Sequence, residues 1–514
     1  VTSPPHIALG AAPLTILDVE AIAAGRAHVG IDAAARRGVE ACQRFMLELA
    51  HRLTPVYGLT TGCGPLAAHA IPPERREEFQ RNLVRSHAAS LGPPHPQRFV
   101  RAAMAVRAHV LARGCSGVDP ATVEVLIAML NHGVHPIVRE VGSVGASGDL
   151  VELAQIALAV IGEGMVELGD AVVPAAGALR AAGVEPVVPR HREGLALMNG
   201  TSFQAGAAAV LLARADRLVA AAQIAAAMAL EALRANLEAF DPALHAARPH
   251  PGQRAVAARI SALVEGSMLT RGGESAAGSQ DAYTLRCTPQ ILGPVVDALR
   301  AATTIVEVEI NAVSDNPLFL PAEGRVIHGG NFHGQPVAAA LDQLKAALVE
   351  LGVLSERRLA RLLDAQLNNG LPPFLVRDAA GLRSGFMGLQ YCASAMAADN
   401  AVLATPASVH SVPTNANNQD VVSMGMVAAR QARQVLDNAL RMVAIELLCA
   451  AQALDLRDTE NAGAGTRTAH ALIRQHVPPL IEDRPMAADV EAVCALVDGG
   501  TLAPAVTAAL APAR

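Results

Sequence analysis

The chain of 514 residues carries three tyrosines, Tyr57, Tyr283 and Tyr391, and no tryptophan. Each tyrosine falls in a segment rich in glycine, asparagine or serine, and none falls in the long alanine-rich stretches. Space-filling core tyrosines would be scattered along those stretches too, so this placement points to chemistry. Arg286 follows Tyr283 and Gln280 closely, a setting suited to a bidentate clamp on a carboxylate. His328 and His333 stand in a glycine-rich loop at a spacing that is not that of helical metal ligands, so no metal is expected. The densest run of small residues is Gly142-Ser143-Val144-Gly145-Ala146-Ser147-Gly148-Asp149-Leu150. Read locally, it is a flexible loop closed by a helix cap, with Asp149 capping and Glu152 completing a capping box. That reading leaves the crowding of glycine, serine and alanine before Asp149 unexplained.

These residues need a frame. Residues 207–241, 295–316 and 426–462 contain neither glycine nor proline and are dominated by strong helix formers. A helix of such length reaches about 50 Å and must bury an apolar face along it, so a bundle of long helices is expected. The fold class is therefore mainly all-α, with an N-terminal mixed region over 1–200 and a helical region over 201–514. One β-hairpin is predicted, Met165 to Leu168 paired with Ala171 to Val173 across Gly169-Asp170. Hydrophobic residues at 52% against 17% charged exclude a disordered chain. The longest uncharged part of the most apolar segment, 218–230, falls short of the ~20 apolar residues a bilayer requires, so no membrane span is expected. Val1 to Pro5 shows no basic or apolar export signal. A net charge of −6 without a basic stripe argues against nucleic acid. Seven scattered cysteines without a Cys-x-x-Cys pair argue against disulfides and thiolate zinc, and favour a cytoplasmic chain. Lys345 is the single lysine and Ala346 follows it, which excludes a P-loop and argues against pyridoxal phosphate.

The run from Gly142 to Leu150 closely resembles that of the aromatic amino acid ammonia-lyase and 2,3-aminomutase family, which includes the histidine, phenylalanine and tyrosine ammonia-lyases. Further motifs occur in family order over roughly residues 50 to 440: Tyr57-Gly58-Leu59-Thr60-Thr61-Gly62, Asn82 to His87, Leu197-Met198-Asn199-Gly200-Thr201, Gln280 to Cys287, Ser314 to Pro317, Gly329 to Gly334 and Asn418-Gln419-Asp420. The resemblance implies that Ala146-Ser147-Gly148 cyclises on itself with loss of two waters, giving a 4-methylidene-imidazol-5-one (MIO) ring. Gly148 frees its nitrogen to approach, Ser147 supplies the lost hydroxyl, and Ala146 is small enough not to obstruct the turn. It further implies that Tyr57 is the catalytic base, that Asn199 lies beside the ring with Tyr283 a further catalytic tyrosine, and that Arg286 binds the substrate carboxylate. His87, Gln280, Asn331, Phe332, Tyr391 and Gln419 complete the expected substrate contacts, in a homotetramer whose sites gather loops from three subunits.

In the family, the ring captures the amine and makes it a better leaving group, while the tyrosine removes the β-proton. An ordinary tyrosine ionises near pH 10, so helix N-termini are expected to favour the phenolate. For the substrate, Ser86-His87 is shared with histidine ammonia-lyases, whereas Gln419 stands where those carry a glutamate. Tyrosine aminomutases combine Ser-His, Asn-Gln-Asp and a tyrosine where Tyr391 stands. With His87 and Tyr391 both placed at the ring end, tyrosine is the favoured substrate, and β-tyrosine and histidine chemistry are the alternatives; a non-catalytic helical scaffold is the least favoured reading. Cys63 replaces the aromatic residue usual in the Tyr57 loop.

Overall fold

The computed structural model describes residues 4–52, 54–271 and 280–510, so the first three residues of the N-terminal stretch read for export lie outside the described residues. The chain is mainly helical, as its composition dictates, and the strands form only small two- and three-stranded sheets. Two compact units divide it. The first takes residues up to Ala213 with Ala302–Asp342 and Pro406–Arg430, and the second takes the remainder. The first unit is thus assembled from three stretches of the chain, the first of which runs to Ala213.

The long helices are present with shifted ends. Ser202–Ala232 stops well before residue 241, because Arg234 turns left-handed at φ +51° and Asn236 caps the following turn through Glu238 N–H. Gly425–Asp455 likewise ends before 462, and Asp458 at φ +88° opens the next turn. Thr288–Ile310 begins earlier than expected and carries Pro294 inside it. A fourth long helix, Gln335–Leu363, escapes a search for breaker-free stretches because it tolerates Pro336 in its first turn and Gly352 in its interior. Ser202–Ala232 is alanine-rich and apolar around much of its circumference, which suits the near-complete burial of Ala207 to Leu212.

The predicted hairpin is observed: Met165–Leu168 pairs antiparallel with Ala171–Pro174, Leu168 opposite Ala171. Gly169 at φ +59° takes the first central position of a primed turn. Val134–Pro136 adds a third strand.

Within the first unit, three helices pack against one another: Arg76–His87, Leu150–Val160 and Glu193–Met198. Arg76, Gln80 and Val84 make the buried stripe of the first, at the four-residue spacing of one helix face. His87 is the last residue of that helix, the small-residue run leads directly into the second, and Asn199 immediately follows the third. Three helix ends therefore deliver the residues that the sequence singles out.

Candidate active site

A cleft of about 960 Å³ in the first unit is lined by Tyr57, His87, Ala146, Ser147, Asn199 and Gln419, among others. A smaller cavity of about 350 Å³ shares Tyr57, Ala146, Ser147 and Asn199 and adds Phe332 and His333. Ala146, Ser147 and Tyr57 thus stand in the wall of both.

The tripeptide sits in a strained turn. Ser147 has φ +50°, a left-handed conformation uncommon for a residue with a side chain. Its carbonyl accepts from Gly200 N–H at 3.1 Å, and the Gly200 carbonyl accepts from Asp149 N–H at 2.8 Å. A side chain at Gly148 would place its Cβ 2.1 Å from the Gly200 oxygen, so only glycine fits there. These small residues, compressed and held by the backbone of a second loop, fit the cyclised group that the resemblance implies.

The capping box expected at Asp149 and Glu152 is not formed. Asp149 makes no side-chain cap on its own helix; its Oδ2 accepts from Gln204 N–H at 2.7 Å and so caps Ser202–Ala232 instead. Glu152 turns back to accept from Ser143 N–H at 3.0 Å. Both carboxyls are completely buried. Burial pushes Asp149 well above the usual carboxylate range and Glu152 up to about 7. The competing acceptors are long-range, which is why local spacing misassigned them.

Tyr57 is half-buried, and its hydroxyl accepts from Gly64 N–H at 2.7 Å. Burial raises its pKa, and this donor works against the rise by favouring the phenolate. Of the expected helix N-termini, the structure supplies one short turn, Gly64–Leu66, opening at that N–H. Cys63 lines the same cleft, with burial pushing its thiol up to about 11. Gly58, at φ +66°, lets the loop lie against Leu195, whose Cδ2 would be 2.2 Å from any added Cβ. Gln80, which the sequence reading missed, fixes this loop: its Nε2 donates to the Gly58 carbonyl at 2.8 Å and its Oε1 accepts from Leu195 N–H at 2.9 Å. In the sequence it is one polar residue among the many of a charged helix and gives no signal of this role.

Asn199 is oriented by a buried network that the sequence also left unassigned. Its Nδ2 donates to Asp315 Oδ1 at 2.8 Å, and Arg192 forks onto the same carboxylate at 2.8 and 3.0 Å. Although burial pushes Asp315 up, Arg192 holds its carboxyl below the usual range. His87 Nδ1 lies 2.9 Å from the Leu83 carbonyl and 3.1 Å from Ser86 Oγ; the carbonyl can only accept, so the closer contact is a hydrogen bond in the tautomer with the proton on Nδ1, which leaves Nε2 as the acceptor. Gln419 donates to Ser147 Oγ at 3.1 Å and accepts from Thr414 Oγ1 at 2.9 Å.

Beyond the tripeptide, five expected residues line neither cavity. Gln280, Tyr283, Arg286 and Tyr391 belong to the second unit. Arg286 donates to Gln280 and lies 4.9 Å from the centre of the Tyr283 ring. Tyr283 and Tyr391 are 67% and 66% exposed. Asn331 is exposed and lines neither cavity, while Phe332 lines the smaller one.

A helical protein with this cleft has the design of a carbon–nitrogen lyase, and comparison with known proteins agrees. The sequence pattern described as aromatic amino acid lyase matches residues 14–475. The chain is 46% identical to a histidine ammonia-lyase of Gloeobacter violaceus, over 98% of each chain. The tyrosine aminomutase of Streptomyces globisporus superposes with a TM-score of 0.93 at 39% identity, over 98% of this chain and 99% of that one. The histidine ammonia-lyase of Trypanosoma cruzi superposes with a TM-score of 0.91 at 36% identity, over 99% and 96%. The chain belongs to the aromatic amino acid lyase family and is an ammonia-lyase.

Proposed function

We propose that the protein eliminates ammonia from an aromatic L-amino acid whose ring carries a hydrogen-bond donor, with histidine as first substrate. The observation that carries this reading is the single cleft joining Tyr57, the Ala146-Ser147-Gly148 turn, Asn199 and the acceptor nitrogen of His87. Cyclised to the MIO ring, the tripeptide supplies an electrophilic carbon for the substrate amine. Tyr57, as phenolate, takes the β-proton, and Gly64 N–H stabilises its charge. Asn199 is locked by Asp315 and Arg192 and therefore presents one fixed orientation to the ring. His87 Nε2 accepts from an imidazole N–H or a phenol O–H, and has nothing to accept from a phenyl ring.

Histidine precedes tyrosine for two reasons. Relatives at 46% identity are histidine ammonia-lyases. The sequence argument for tyrosine paired His87 with Tyr391 at the ring end and counted Gln419 against histidine, yet Gln419 is held by Ser147 and Thr414. Tyrosine is the second reading, supported by the structural likeness to a tyrosine aminomutase. The exposure of Tyr283 and Tyr391 supports a homotetramer in which another copy brings them, with Gln280 and Arg286, to the cleft. The free cysteines favour the cytosol.

Incubation with histidine, tyrosine and phenylalanine, with quantification of ammonia, unsaturated acid and β-amino acid, tests the reading. Urocanate from histidine should form fastest. A faster release of the unsaturated acid from tyrosine moves the assignment to the second reading, and accumulation of β-tyrosine makes the enzyme a mutase.

A further inference from the structure

The turn that carries Ala146-Ser147-Gly148 is fastened by a buried carboxyl to which the catalytic steps above give no part. Glu152 is completely buried, two residues into the helix Leu150–Val160. Its Oε1 accepts from the N–H of Ser143, nine residues earlier, at 3.0 Å. The Ser143 hydroxyl, itself buried, then makes two bonds: it accepts from Gly145 N–H at 3.0 Å and donates to the Gly148 carbonyl at 3.3 Å. One oxygen atom therefore grips the backbone just before the tripeptide and the last residue of the tripeptide.

We propose that Glu152 is a positioning residue for ring formation, acting through Ser143 to hold the two ends of the tripeptide together. The proposal rests on the reading that the ring forms in this chain. Closure joins Gly148 N to the Ala146 carbonyl carbon; the Ala146 oxygen leaves as water with the hydrogens of Gly148 N and Ser147 N. A second water takes the Ser147 hydroxyl and its Cα hydrogen, leaving the methylidene carbon. The first step is intramolecular, so its rate depends on how often the attacking nitrogen and the carbonyl carbon are already in contact. The Gly145 and Gly148 bonds to Ser143 restrict the turn from both sides, and the Glu152 bond stops Ser143 from swinging away. The function is geometric: it needs an acceptor at Glu152, not a charge.

The test follows mass loss in the full chain, pulse-labelled and sampled over time after synthesis, with helical content and denaturation midpoint recorded on each variant. Glu152→Gln keeps the carbonyl acceptor and should close at the wild-type rate. Glu152→Ala removes it and should slow closure by about tenfold or more, the scale of one lost hydrogen bond in the aligned state. Ser143→Ala removes only the hydroxyl and serves where Glu152→Ala fails to fold; it should slow closure similarly. Wild-type rates in a folded Glu152→Ala or in Ser143→Ala overturn the positioning role, as does slow closure in Glu152→Gln. A wild-type chain that loses no water overturns the ring itself, a failure visible before any variant is compared.

Discussion

Glu152 also makes the stability of the protein depend on pH in a way that a single substitution isolates. Its carboxyl is displaced by burial from an ordinary value near 4.5 to about 7. Between those values the folded chain holds a proton that the unfolded chain has released, so stability falls as pH rises through this window and levels off above it. The displacement is about two and a half pH units, at about 1.4 kcal/mol each, or about 3 to 4 kcal/mol in all. Glu152→Gln has no such proton to lose, and its amide oxygen still accepts from Ser143. Urea denaturation of both proteins from about pH 5 to about pH 8.5 should show the variant gaining about 2 to 3 kcal/mol on wild type across the range, the remainder falling below pH 5. Asp149 is raised mainly by its own burial in both chains, and only the smaller part of its shift that comes from Glu152 differs between them. A stability difference that stays constant with pH would refute the argument, because it would mean that Glu152 ionises in the folded chain as it does in the unfolded one.

Ser147→Ala should yield a chain that loses at most one water by intact mass and lacks both near-ultraviolet ring absorbance and turnover. Tyr57→Phe should abolish turnover in steady-state assays while leaving the denaturation midpoint nearly unchanged, since the hydroxyl bonds lost are those from Gly64 N–H and to the Cys63 thiol in a half-buried site; substantial remaining activity would shift the base to Tyr283. Asp315→Ala leaves the Arg192 guanidinium buried without its carboxylate, and denaturation should show a loss of about 3–5 kcal/mol together with reduced kcat from the released Asn199. His87→Phe should raise kcat/KM for phenylalanine relative to histidine, by about tenfold to a hundredfold.

The chemistry was legible in the sequence because it resides in short contiguous strings. Ala146-Ser147-Gly148, the Tyr57 loop and Asn199 each announce themselves locally, and the breaker-free stretches announce the helices. The hairpin was readable for the same reason: its pairing is settled by a two-residue turn. Tertiary structure decided what depends on partners distant in the chain. Asp149 and Glu152 look like a local capping box, yet Asp149 caps a helix that begins at Ser202, and Glu152 fastens Ser143. In a packed interior a buried carboxyl takes whichever donor has no other partner, and that donor is chosen by packing rather than by spacing. Gln80 and Arg192 were silent in the sequence because their roles lie in joining segments far apart in the chain, and the Ser314 to Pro317 motif marked Asp315 without its partners. The division between cleft and exposed surface was silent too: Tyr57 and Tyr283 both read as site tyrosines, and only the fold separates the one built into the cleft from the one left on the surface of the second unit.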